Sequence, residues 1–125
     1  MSTSQIGFTM SFPTGQSFAS LQYTPVAINS SGQIVSATAA YNIIGIIQDT
    51  PDNSTDTVGG VTIFGKTRAV LSGTVTVGEQ LQVGTSGTSL VALSSGIAVA
   101  TALEAGASGD TVAVLLTPNN GAYAA

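Results

Sequence analysis

The most specific chemical motif in the sequence is a phosphate-binding pattern. Residues 60–67 read GVTIFGKT and match G-x-x-x-x-G-K-[ST] at every position. In a working phosphate-binding loop, backbone amides surround the phosphates and a helix begins at the lysine. Here residues 61–64 favour a strand, and the stretch after Lys66 is β-branched and interrupted by Gly73. The motif therefore predicts two strands joined by a tight turn at Gly65, and no nucleotide site.

Acidic residues are densest in the segment 48–59, which contains Asp49, Asp52 and Asp56 together with Asn53. Carboxylate and amide oxygens are the ligands that Ca²⁺ prefers. A dedicated calcium loop places its ligands at alternate positions and ends in a glutamate, and this segment has neither feature. We therefore interpret it as a solvated turn and predict no metal site and no cofactor.

The only basic residues are Lys66 and Arg68. Because they are two positions apart, they share one face if they lie on a strand. They are either ordinary surface charges or cations that dock onto acidic groups of a partner. If they dock onto a partner, reversing the charge of Arg68 weakens assembly. Phosphate neutralisation commonly needs about six or more cations, so we predict no nucleic-acid binding.

The residue types present in the chain argue against catalysis. The chain has no histidine and no cysteine, which removes imidazole bases, thiol nucleophiles and the metal sites built on them. Serine and threonine are abundant, but a hydroxyl nucleophile needs a base, and only one lysine exists. Nothing in the spacing of Glu79 and Glu104 favours a glycosidase pair. We predict a protein that is not an enzyme and has no small-molecule substrate.

The composition predicts which elements carry these residues. Charged residues make up 6% of the chain, against about 25% in an ordinary soluble domain. Val, Ile and Thr number 38, whereas Lys, Arg and Glu together number four, and this favours strands over helices. With frequent glycine-containing turns, the sequence predicts an all-β fold, either a small β-barrel or a β-sandwich. The expected strands are 21–28, 33–35, 41–48, 61–64, 67–71, 79–83, 89–93, 97–104 and 111–116.

The run 97–104 is the ambiguous one, because its alanines also favour a helix. Its larger side chains alternate with Ala98, Ala100 and Ala102, which favours a strand with one bulky face and one small face. The small face would let another sheet or subunit approach closely.

An apolar stripe of period two marks the N-terminus, where Ile6, Phe8, Met10 and Phe12 alternate with small or polar residues. Such a stripe is either the first strand of the same sheet or an extended arm that adds to a neighbouring molecule. The polar segment 14–20 resembles a tether and favours the arm. The predicted organisation is an arm or first strand over 1–20, a β domain over 21–116 and a C-terminal tail over 117–125.

The sequence also bears on where the protein is made. The first 65 residues contain no Lys or Arg, so the positive region of a secretory signal is missing. No stretch approaches the roughly 18 uninterrupted apolar residues of a membrane helix. We predict synthesis in a cytoplasm and no membrane partner. A surface with so little charge suits large, salt-insensitive protein contacts.

The second half of the chain resembles a known family. Residues 69–83 read AVLSGTVTVGEQLQV, residues 96–105 read GIAVATALEA and residues 109–116 read GDTVAVLL. Over 21–116, the order of a G-(D/E)-x-L element, a glycine turn and a closing G-x-x-V-x-V-x-L hairpin is similar to that of tailed-phage capsid decoration proteins, also called cement proteins.

This resemblance implies a small β domain, often a homotrimer, on the outer surface of the virion, where it braces adjacent major capsid proteins. The alternative is a virion fibre or adhesin domain that binds a glycan on a host surface; cement protein is near-stoichiometric on capsids, whereas an adhesin is present in few copies. The expected contacts with the capsid or another subunit are Ile6, Phe8, Met10, Phe12, Phe18, Lys66 and Arg68.

Overall fold

The computed structural model describes residues 7–37, 43–84, 87–94 and 98–117. Every regular element in these ranges is a strand, which confirms the predicted all-β class. None of these residues forms a helix that could cross a membrane. The strands are β1 (Phe8–Pro13), β2 (Pro25–Ile28), β3 (Ile34–Ser36), β4 (Ile43–Ile47), β5 (Val58–Val70), β6 (Gln80–Val83), β7 (Leu90–Ala92), β8 (Ala100–Ala102) and β9 (Thr111–Leu116).

The strands form one curled antiparallel sheet in the order β3-β2-β4-β5-β9-β8-β6-β7, and β1 pairs with β5. The first half of β5 pairs with β1 and β4, and its second half pairs with β9. Leu71, the residue after β5, bridges Leu90 of β7 and so brings the far end of the sheet back to β5. The result is the barrel-like fold that the sequence predicts.

Strand β5 curves strongly enough for both of its halves to reach the end of β4. Val61 is paired with Ile47, the last residue of β4. Nine positions later, Val70 donates its N–H to the carbonyl of Tyr23 at 3.0 Å, and Tyr23 donates its own N–H to the carbonyl of Ile47 at 2.9 Å. This curvature lets a single strand contribute to both halves of the sheet.

The predicted turn at Gly65 is wrong, because Gly65 lies inside β5 with a φ of +96°. In a regular strand, Thr62 and Ala69 would point to opposite faces, since they are seven positions apart. Thr62 is paired with Ile46, and Ala69 packs in the same core cluster as Ile46. Phe8 is opposite Phe64 and Thr9 is opposite Thr62, so Ile63 is the extra residue of a bulge in β5, and this bulge reverses the alternation of the strand. Beyond the bulge, Lys66 lies on the exposed face of β5.

The N-terminal stripe forms a strand of the same sheet, at least over residues 8–13. Strand β1 runs antiparallel to the first half of β5, with Phe8 opposite Phe64 and Pro13 opposite Val58. Of the two interpretations, the structure shows the first strand, and the predicted extended arm is wrong for these residues. Backbone pairing with β5 satisfies hydrogen bonds that a free arm would leave to water or to a partner.

The segment 14–20 does not act as a tether. Thr14 bridges Ile34 of β3, and Gly15 donates its N–H to the carbonyl of Ile34 at 2.8 Å. Phe18 is completely buried. Removing an aromatic side chain from water contributes about 1.5–3 kcal/mol, which favours a fixed path over a flexible one.

The sheet carries apolar clusters on both faces of its first half. Adjacent residues of β4 divide between them, with Ile46 in the larger cluster and Ile47 in the smaller. A strand buried on both faces reads as a continuous apolar run, as residues 43–47 do. The smaller cluster consists of Phe18, Val26, Ile34, Ile47 and Val61.

Strand β8 confirms the strand interpretation over Ala100–Ala102. Ala100 and Ala102 are buried in the larger cluster, so the small face of this strand packs against the chain's own core. Of the two expected neighbours, another sheet or another subunit, the structure shows the chain's own sheet at this face. Leu103 instead is exposed on the surface.

The loop between β4 and β5 is held by the carboxylate of Asp52. Its Oδ1 accepts backbone N–H groups from Ser54 at 3.0 Å, Asp56 at 3.1 Å and Thr55 at 3.0 Å. These hydrogen bonds, that of Ser54 first, lower the pKa of Asp52 below its ordinary value. A carboxylate that accepts several amide hydrogens resists protonation, so the three amides stabilise the charged form of Asp52 and Asp52 in turn holds the loop.

We expect Gly65→Ala to destabilise the protein more than Gly109→Ala, although both residues have similar positive φ angles of +96° and +93°. An alanine in either position loses about 1–2 kcal/mol to the left-handed conformation. At Gly109 a new Cβ meets no atom within 4 Å, whereas at Gly65 it would lie 2.7 Å from the Cα of Gly7. Urea unfolding measures both variants, and equal losses would show that the β1–β5 contact at Gly7 tolerates the extra atom.

The lowered pKa of Asp52 predicts a pH-dependent difference between wild type and Asp52→Asn. The stabilisation from this carboxylate is fully present above its ordinary pKa and is lost as the pH falls toward the lowered folded value. The difference in free energy of unfolding between wild type and Asp52→Asn should therefore narrow below about pH 4. Asp56→Asn is the matched control, because the Asp56 carboxylate accepts no hydrogen bond from the described residues. A gap that stays constant between neutral and acid pH contradicts this account.

Candidate functional site

Two aromatic side chains stack on the surface where β1 meets β5. The ring centroids of Phe8 and Phe64 are 5.5 Å apart and the rings are inclined by 15°. Phe8 is 52% exposed and Phe64 is 46% exposed. An exposed aromatic pair offers rigid apolar area that a partner can cover. Sequence reasoning identified Phe8 and missed Phe64, because only the β1–β5 register brings the two together.

The N-terminal stripe keeps its alternation along β1. The register shift between Phe8 and Thr9 leaves the extra residue, Ile63, on β5, so Phe8 is opposite Phe64 while Met10 is opposite Val61. Phe8, Met10 and Phe12 therefore share one face of β1. Met10 is 43% exposed, and Phe12 packs partly buried against the smaller cluster.

Two other predicted contact residues have different outcomes. Phe18 is fully buried within the chain's own smaller cluster, so its prediction as a capsid or subunit contact is wrong. Nearby backbone bonds hold it there, since Phe18 donates its N–H to the carbonyl of Pro51 at 2.8 Å. Ile6 lies outside the described residues, and its role stays a prediction.

Lys66 and Arg68 share one exposed face of β5, as predicted from their spacing. Arg68 Nη2 donates to the carbonyl oxygen of Thr111 at 3.0 Å. The Lys66 ammonium makes no hydrogen bond or ion pair with any residue in the described ranges. Leu115, which is 42% exposed, lies opposite Lys66 in the β5–β9 register. We call Lys66, Arg68 and Leu115 the basic patch.

Most of the acidic side chains accept hydrogen bonds from backbone N–H groups. In addition to Asp52, Asp49 accepts the N–H of Gly60 at 3.2 Å and Glu104 accepts that of Ala113 at 2.9 Å. Glu79 and Asp110 likewise accept the N–H groups of the residues three positions before them. Asp56 is the exception, since its carboxylate has no partner among the described residues. Glu79 and Glu104 therefore support turns, and no contact links them as a catalytic pair.

An open groove of about 520 Å³ lies beside the β4–β5 loop. Asp49 and Asp56 line it together with Pro51 and with Val58, which is 54% exposed. We call it the acidic groove. Across the ranges that the structure describes, no three acidic side chains gather as they would around a metal ion.

The phosphate-binding pattern lies entirely within β5. Val61 and Thr62 are fully buried, and the Gly60 N–H is directed to Asp49. Amides held in a sheet cannot curl around a phosphate, and residues 66–70 continue the strand where the mechanism needs a helix. The motif match is a by-product of strand composition.

Neither a protein-family model nor a curated protein sequence matches the chain. Among solved structures, its fold is similar to the crystal structure of the N base of head fibre gp8.5 from bacteriophage phi29. The TM-score is 0.71 at 13% sequence identity, and the match covers 88% of this chain and 93% of that chain. The similarity establishes a shared all-β, barrel-like fold.

Proposed function

We propose that the chain is a non-enzymatic structural protein of a phage virion, which binds the outer surface of the head and stabilises contacts between major capsid proteins. The observation that carries this proposal is the similarity of its fold to a phage head fibre base over 93% of that chain. The resemblance of residues 21–116 to capsid decoration proteins supports the same setting. The protein would be made in the host cytoplasm and act as a homo-oligomer, a trimer by that resemblance.

The chemistry of the described surface supports binding over catalysis. Five of the six carboxylates accept backbone N–H groups, which leaves them poorly placed to transfer protons to a substrate. Exposed apolar side chains are available for contacts that depend little on salt. Repetition by the symmetry of a shell would convert a modest affinity per copy into firm attachment.

We place the capsid contact at the stacked Phe8–Phe64 pair and the nearby Met10. Aromatic residues held rigid by a sheet lose little entropy on binding and commonly dominate interface energies. Here Phe8 and Phe64 already restrict each other by stacking, and β1–β5 pairing fixes both backbones. Covering them would bury apolar area without breaking any hydrogen bond within the chain.

A fibre role is the second candidate, because the similar solved structure is described as part of a head fibre. In this case the domain would attach a fibre or bind a host-surface glycan through its loops. Copy number and ligand separate the two roles, since a cement protein covers capsids near-stoichiometrically and a glycan-binding adhesin binds cells or glycans without capsids.

Particles that lack the protein should assemble but lose infectivity or release DNA at lower temperature, or after milder osmotic shock, than complete particles. The physical reason is that bracing contacts add to the shell's resistance without being needed to form it. Nanoparticle counting with a DNA-binding dye during heating measures the difference. Identical resistance with and without the protein would refute the cement role.

Phe8→Ser combined with Phe64→Ser should weaken co-sedimentation with purified capsids by about tenfold or more, because both aromatic contacts are lost. Val77→Ser is the matched control, since Val77 is 66% exposed on a turn away from the pair. Circular dichroism and thermal unfolding verify that each variant is folded. Capsid binding that is unchanged in the double variant would move the contact to another surface.

A further inference from the structure

We propose that the basic patch of one copy docks into the acidic groove of a second copy of this chain. The inference rests on the proposed function only for its setting, a particle on which many copies lie side by side. It assigns a contact between copies, whereas the Phe8–Phe64 pair is assigned to the capsid.

The first observation is a cation without a partner. Lys66 and Arg68 are the whole basic inventory of a chain with a net charge of −4. Arg68 is partly engaged by the Thr111 carbonyl, and the Lys66 ammonium is free of the residues that the structure describes. Because the chain has no other basic residues, the placement of these two side by side on β5 concentrates its positive potential at one place.

The second observation is an anion without a partner. Every other acidic side chain accepts a backbone N–H, and only Asp56 leaves its carboxylate unused within the described ranges. Asp56 lines the acidic groove beside Asp49, whose two oxygens share the Gly60 N–H at 3.2 and 3.4 Å and keep further acceptor capacity.

The fold keeps the two charges apart within one molecule. Asp56 precedes β5, and Lys66 lies beyond the bulge in its second half, on the other side of Gly65. The described part of the chain contains no contact between them. Only a second molecule can therefore bring the free ammonium and the free carboxylate together.

The apolar surroundings also match. Leu115 accompanies Lys66 on the basic patch, and Val58 lines the acidic groove beside Asp56. Both are more than 40% exposed, at 42% and 54%. Docking would cover these side chains around the charge pairs, which shields the pairs from water and strengthens them.

The contact joins two different surfaces and is therefore heterologous. A heterologous contact closes into a ring when its rotation allows and otherwise extends as an open array. In either arrangement, neighbouring copies would support one another on the surface of a shell.

The test uses the full chain in the absence of capsids, with oligomeric state measured by sedimentation velocity over a range of concentrations and salt. Wild type should self-associate, more weakly at high salt. Lys66→Glu alone and Asp56→Lys alone should each lower the association constant about tenfold or more. An equimolar mixture of the two variants should recover association, because each offers one surface that complements the other.

The control for Lys66→Glu is Ser30→Glu combined with Ser108→Glu, which changes the net charge equally at two exposed turns. This control should associate like wild type. A monomeric wild type, an oligomer insensitive to both reversals, or a mixture that fails to recover association would each overturn the proposal. Capsid co-sedimentation is measured separately, so a monomer that still binds capsids refutes this contact and leaves the proposed function intact.

Discussion

A bulge in β5 at Ile63 controls which side chains the rest of the strand buries. The extra residue reverses the alternation of the strand, so Thr62 and Ala69 both face the larger apolar cluster. Without that reversal, continued alternation would direct Lys66 toward the core, where an unpaired ammonium is costly. Close to the bulge, Gly7 approaches Gly65 and so couples β5 to β1. The exposed aromatic pair lies beside the bulge, and the basic patch follows it along β5.

The distribution of charge follows a second constraint. With so few ionisable groups, nearly every carboxylate is used to close a turn through backbone amides, as Asp52 does in the β4–β5 loop. Such bonds order the loops of a small β domain that has no disulfide. They also remove those groups from any chemistry with a ligand, which leaves Lys66 and Asp56 as the charges available for docking.

The contact residues show why sequence patterns place some surfaces well and others poorly. The shared face of Lys66 and Arg68 follows from a spacing of two and holds because no bulge separates them. The stripe at Phe8, Met10 and Phe12 has the same spacing and also holds, because the extra residue of the bulge lies on β5 and not on β1. The predicted contact at Phe18 fails, because the path of segment 14–20 buries this side chain in the smaller cluster and no local spacing indicates that path.

The sequence by itself determined the all-β class and argued against the familiar catalytic machineries, because β-branched content, glycine turns and the absence of histidine and cysteine are properties of composition. It also located most strands, since their periodicity is local. Only the tertiary structure decided that two predicted strands are one and that Phe64 stacks on Phe8. Each of these depends on a bulge or on a register between segments distant in the chain, and neither is encoded in the spacing of neighbouring residues.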